Sequence, residues 1–163
     1  MSAEDNLREA FAGESQANRK YVAFAARAAR DGYPQVAKLF RAAAQSETVH
    51  AIRHLKVLRE LKSTEDNLKA AIAGENYEHT EMYPKFINEA RKEGNKAAAN
   101  SFDHANESEK VHDALFKKAL DNLGQNEPVD YFVCSVCGFT VENEPPGECP
   151  VCGARKDKFD KID

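Results

Sequence analysis

Glu47 and His50 stand three residues apart, and Glu109 and His112 repeat that spacing 62 residues later. Residues at i and i+3 share one face of a helix, so each pair offers a carboxylate and an imidazole together. A further glutamate precedes each pair: Glu14 lies 33 residues before Glu47, and Glu75 lies 34 before Glu109. A helical hairpin of that span brings glutamate and pair to one height, so two hairpins converge four carboxylates and two imidazoles. Carboxylates so grouped cannot stay ionised inside a bundle unless cations offset them, and two divalent ions, iron or manganese, match both the charge and the donor types. A single Glu-x-x-His on a helix is more often a solvated face. Two copies in matched register favour metal.

Several neighbours bear on this site. Glu78, one turn past Glu75, reads as a seventh ligand in preference to a solvated charge. Tyr21, two turns past Glu14, either donates its hydroxyl to a metal-bound carboxylate or packs only. Glu81 and Glu107 read as surface acids and His54 as a partly exposed flank, while His79 and His104 have no partner at ligand spacing. Separately, Cys134-Ser-Val-Cys137-Gly138 and Cys149-Pro-Val-Cys152-Gly153 form two knuckles with eleven residues between them. Paired knuckles of this kind bind one metal tetrahedrally through four thiolates. The segment is too short for a sizeable core, so the metal supplies much of its folding energy. Zinc and iron both accept four thiolates; iron is favoured, because a cycling site nearby needs a one-electron supply, and zinc remains open for recombinant protein.

The elements that position these residues follow from composition. From Glu4 to Gly124 the chain is rich in Ala, Leu, Glu, Lys and Arg, with Pro34 and Pro84 its only prolines, as long helices require. Four helices are predicted, over about 5–30, 34–61, 64–92 and 96–122, with a local bend at Pro84. Gly32, Ala37, Phe40, Ala43, Ser46, Glu47, Val49 and His50 recur at an offset of 62, whereas Ala12-Gly13-Glu14 recurs as Ala73-Gly74-Glu75, one residue out of that register. Beyond Gly124 prolines and glycines crowd the chain, so turns dominate. The expected organisation is mainly α: a four-helix domain over 1–124, a linker over 125–128 and a metal-knuckle domain over 129–163. The net charge of −4 carries no basic stripe for nucleic acid. No apolar run is long enough to span a membrane, and the acidic N-terminus does not resemble a signal peptide, so a cytoplasmic location is expected.

These motifs, together with Gly74-Glu75-x-x-Glu78-His79-Thr80-Glu81-Met82-Tyr83-Pro84 and Ala12-Gly13-Glu14-Ser15-Gln16-Ala17, resemble those of the rubrerythrins over nearly the whole chain. The resemblance implies a ferritin-like di-iron bundle followed by a rubredoxin-like iron domain. It implies that Glu47 and Glu109 bridge the irons, that Glu14 binds one and Glu75 with His112 the other, and that Glu78 and His50 exchange at the first iron with redox state. Tyr21 and Tyr83 match positions near the family's site. The implied activity is reduction of hydrogen peroxide to water in oxidative-stress defence, with electrons from a separate NAD(P)H-dependent reductase or rubredoxin passing through the four-cysteine iron. No nucleotide-binding glycine loop is visible in this chain. Iron oxidation and storage, or a zinc-stapled binding module, are the rival readings.

Two geometric expectations complete the reading. The joint near Lys62–Thr64 is too short at ~3.3 Å per residue to run back along the bundle. A ferritin-like site then needs the second hairpin from another subunit, as a domain-swapped homodimer, while an up-down-up-down bundle also accepts a short turn. From His112 to Leu123 is roughly 17 Å of helix. Transfer from the cysteine iron within one chain is therefore expected to be long, and the resemblance implies a head-to-tail neighbour that shortens it.

Overall fold

In the computed structural model, which describes residues 2–163, five α-helices precede a small three-stranded sheet. Helix α1, Ala3–Arg30, starts on a reciprocal cap: Ser2 Oγ accepts from the Asp5 amide at 3.1 Å, and the Asp5 carboxylate accepts from the Ser2 amide at 2.7 Å. Gly32, at φ +83°, ends it with the Tyr33 amide bonded to Ala28 O, and Pro34 opens α2, Pro34–Val57. The second hairpin turns the same way: Gly94 sits at φ +71° and the Asn95 amide bonds to Ala90 O before α5, Lys96–Asp121.

The chain divides into two compact units, the first ending at Lys62 and the second comprising Ser63–Asp163. In the first, α1 packs along α2 on small residues: Ala37, Ala44 and Ala51, spaced by sevens, are buried with Ala25 and Ala28. Asn18 is buried in that seam, its amide donating to Ala44 O at 2.6 Å and Thr48 Oγ1 at 2.7 Å. In the second unit, α3, Thr64–Tyr77, and α4, Tyr83–Lys92, both pack on α5. The sheet has β1, Tyr131–Cys134, between β2, Thr140–Glu142, and β3, Phe159–Ile162, all antiparallel.

Three expectations change. Helix α2 stops at Val57, not near Leu61, because Arg59 takes the left-handed conformation (φ +59°) and the Glu60 amide bonds back to Leu55 O, with the Glu60 carboxylate paired to Arg8. The third predicted helix is broken by a π-helical turn, Glu78–Met82, where the Tyr83 amide bonds to Glu78 O, and Pro84 then occupies the first turn of α4 rather than bending a continuous helix. Third, the cysteine module does not continue away from α5. Gly124 at φ +87° reverses the chain, Asn126 Nδ2 donates to Ala119 O, and Lys118 pairs with Glu142 at 2.6 Å, laying β2 back along α5. No helix among the described residues is long and apolar enough to cross a membrane.

Candidate metal centre

Each hairpin gathers its own trio of candidate metal donors. On α1 and α2, Glu14, Glu47 and His50 place one ligand atom each within 4.8 Å of one another. His50 Nδ1 is 3.0 Å from Glu47 and 3.9 Å from Glu14. In the second unit Glu75, Glu109 and His112 do the same, with His112 Nδ1 2.7 Å from Glu109 and 3.7 Å from Glu75. The repeat is therefore geometric as well as sequential. Each hairpin also carries an aromatic cluster: Tyr21, Phe24 and Phe40 have ring centroids 5.5–6.4 Å apart, and Tyr83, Phe86 and Phe102 have theirs 5.6–6.3 Å apart.

The aromatic clusters explain the π turn. Tyr21, Phe24 and Phe40 match Tyr83, Phe86 and Phe102 at an offset of 62, while Glu14 matches Glu75 at 61, so one extra residue lies between Glu75 and Tyr83. In an α-helix that residue would rotate everything beyond it by ~100°. The π turn absorbs it, keeping Glu75 and Tyr83 on matching faces, and Glu78 is its first residue. The offset change was the signal for this turn.

The electrostatics are those of crowded donors. A hydrogen bond to Glu47 pushes the Glu14 carboxyl up, while the bonds from Glu14 and His50 hold Glu47 down. Burial, then the neighbouring Glu109, raises Glu75 to about 7. Glu78 lies outside the tight trio, yet burial and the charge of Glu109 raise it and His112 lowers it, so it stands beside this half-site. Burial and the carboxylates of Glu109, Glu78 and Glu75 push the Tyr83 phenol up. Tyr21, two turns past Glu14 on α1, packs with Phe24 and Phe40 in the aromatic cluster.

The four cysteines converge with Sγ atoms 3.7 Å apart for Cys134 and Cys152 and 3.5 Å for Cys137 and Cys149. Four sulfurs ~2.3 Å from one tetrahedral metal would be roughly 3.8 Å apart, so the cage is close to metal-ready. Gly138 (φ +85°) and Gly153 (φ +73°) close the two knuckles, their amides bonding to Cys134 O and Cys149 O. Burial opposes ionisation of Cys134, but the amides of Val136 and Cys137 outweigh it and hold the thiol below its usual value. Burial pushes Cys137 and Cys152 up. Such thiols ionise readily only when a cation replaces the proton.

The sequence did not indicate several supporting residues. His79, set aside for want of a ligand-spaced partner, bonds through Nε2 to the Asp113 carboxylate at 3.0 Å, pinning the π turn to α5. Asp113 is buried; desolvation opposes its charge, but Lys117 and His79 outweigh it and lower its pKa. Ser108 and Thr140 link α5 to the cysteine module: Ser108 Oγ is 3.3 Å from Cys137 O, and His112 Nε2 is 2.9 Å from Thr140 Oγ1. The long separation expected within one chain is thus closed by the fold-back of the module.

Comparison with known proteins agrees with this architecture. The rubrerythrin family model matches residues 5–120, and that of the rubrerythrin rubredoxin-like domain matches 132–160. Rubrerythrin-2 of Clostridium acetobutylicum is 39% identical, covering 95% of this chain and 94% of its own. Nigerythrin of Nitratidesulfovibrio vulgaris is 34% identical over 95% of this chain and 84% of its own. A mixed-valence nigerythrin structure superposes with a TM-score of 0.60 at 33% identity, covering 99% of this chain and 87% of that one. The fold is thus ferritin-like and mostly helical with a small four-cysteine strand domain, and the donor sets fit a carboxylate-bridged di-iron centre and a four-thiolate iron. Two matched carboxylate and histidine trios, one of them hydrogen-bonded to a cysteine cage, together with these matches over nearly its full length, make the chain an oxidoreductase belonging to the rubrerythrin family.

Proposed function

We propose that the chain reduces hydrogen peroxide to water. The observation that carries this reading is the hydrogen-bonded approach of the cysteine knuckle to the α5 half-site, which suits a retained, electron-fed centre better than iron storage. Two ferrous ions together would supply the two electrons peroxide requires, and the four-thiolate iron would restore them singly. In this reading Glu14, Glu47, His50, Glu75, Glu78, Glu109 and His112 would hold the ions, Glu47 and Glu109 being shared between them and Glu78 and His50 serving the first in turn. Tyr83, its phenol kept protonated, offers a hydrogen-bond donor beside Glu109. Cys134, Cys137, Cys149 and Cys152 hold the relay iron. The corresponding division is a di-iron domain over 1–124, a linker over 125–128 and a relay domain over 129–163.

Electrons would come from a separate NAD(P)H-dependent reductase or a rubredoxin. A homodimer with exchanged hairpins would complete each centre. Its support is the six-residue connection 58–63 and the half-sites' placement in separate compact units. The face of α2 that carries Val36, Phe40, Glu47 and His50, at steps of four, seven and three residues, is also partly open in the single chain.

Anaerobic reduction followed by stoichiometric peroxide, watched by visible absorption with iron analysis, tests the activity. Both centres should reoxidise rapidly, and much more slowly with oxygen. Equal or faster reaction with oxygen would overturn the reading.

A further inference from the structure

The two nitrogens of His112 meet different surroundings. Nδ1 faces Glu109 and Glu75, while Nε2 lies 2.9 Å from the hydroxyl of Thr140, on β2 of the cysteine module. An imidazole that gives one nitrogen's lone pair to a metal keeps its proton on the other, and the partner of that proton sets the ring's tautomer and orientation. With Nδ1 as the donor to metal, Nε2–H donates to Thr140 Oγ1. The hydroxyl then has its own proton to give, and Gly138 O accepts it at 3.2 Å. Gly138 is peptide-bonded to Cys137, whose own carbonyl lies 3.3 Å from Ser108 Oγ, one turn before His112 on α5, although that hydroxyl also has His104 O at 3.1 Å.

From His112 through Thr140 to Gly138, each donor and acceptor is used in one consistent direction. We infer that Thr140 is a positioning residue for the metal site: its hydroxyl fixes His112 as an Nδ1 ligand and carries the bonded route from Cys137, through the Gly138 carbonyl, to that imidazole within one chain. The inference rests on His112 and Cys137 being metal ligands, as proposed above. The repeat supplies a contrast, because His50, the counterpart of His112, has only its Nδ1 contacts with Glu47 and Glu14 among the described residues. One half-site is thereby anchored to the cysteine cage, and the other is not.

Along this route one electron passes at a time. Each transfer would oxidise the four-thiolate iron from ferrous to ferric and reduce one ferric ion of the pair to ferrous, with the protons of His112 and Thr140 staying on their own donors. An external one-electron donor protein, replaced in the test by dithionite, restores the four-thiolate iron.

The test compares full-length iron-loaded protein with Thr140→Val, Thr140→Ala and Thr140→Ser, after iron analysis. In the dithionite-reduced protein, the His112 ring N–H gives a proton resonance shifted by the ferrous pair, and its exchange with solvent deuterium is timed. Slow exchange is expected in the parent and T140S, and exchange at least roughly tenfold faster in T140V and T140A. After one equivalent of peroxide, oxidation of the cysteine iron, followed by its visible band, should slow by roughly tenfold or more in T140V and T140A and recover in T140S. Unchanged exchange and unchanged transfer in both hydroxyl-free variants would overturn the inference, as would losses that serine does not restore. Failure of peroxide to oxidise the parent protein would instead sink the peroxidase reading, and the proton-exchange comparison would still decide the role of Thr140.

Discussion

At the scale of single residues, Glu75 is a donor whose proton a metal would displace. Glu75 ionises near 7 in the metal-free fold against 4.5 for an ordinary glutamate, chiefly through burial and Glu109. An acid whose folded pKa is raised favours the fold only while it is protonated. The metal-free protein should therefore lose stability as pH rises from about 4.5 to about 7, with no further change from this group above that. Urea titrations of the metal-free protein and Glu75→Gln at pH 5 and pH 8 measure this, and the variant's advantage should grow with pH. An advantage equal at both values would show that Glu75 does not titrate in that window. Asn18 fixes the height of Glu14 against Glu47 by bonding across the α1–α2 seam. Replacing it with Ala should lower stability by about 1–3 kcal/mol in thermal unfolding, because a buried bonded amide is lost between closely packed helices.

At the scale of elements, the π turn is the feature that departs from a plain repeat. Deleting Thr80, an exposed residue within it, should restore the α register between Glu75 and Tyr83. Helical circular dichroism should then persist while peroxide turnover falls by roughly tenfold or more, as Glu78 loses its placement. Turnover at the parent rate would make the turn a packing accommodation only. The ligand trios, the cysteine knuckles and the Gly32 and Gly94 turns were legible in the sequence because local spacing and backbone need determine them. The π turn was not, since helical periodicity averages over one inserted residue, although the shift from 61 to 62 between Glu75 and Tyr83 marked it. The early end of α2 was hidden because Arg59, rather than a glycine, takes the left-handed position. Contacts such as His112 with Thr140 join residues 28 apart, and no local pattern carries them.

At the scale of the whole molecule, large apolar side chains of the first unit remain open in the single chain, Leu39 at 67%, Val49 at 56% and Phe24 at 46% exposure, as a surface that binds another chain would be. In the exchanged homodimer proposed above, the boundary between Lys62 and Ser63 has a genetic consequence. A double variant Glu47→Ala/His50→Ala spoils only first hairpins, and Glu109→Ala/His112→Ala spoils only second ones. Each homodimer is dead, but an exchanged heterodimer pairs one intact first hairpin with one intact second hairpin. Co-expressing the two should recover about a quarter of the parent's di-iron sites and activity, where a site built within one chain would recover none. Two broken copies would thus repair one another, so a lesion in either hairpin would behave as recessive to a lesion in the other.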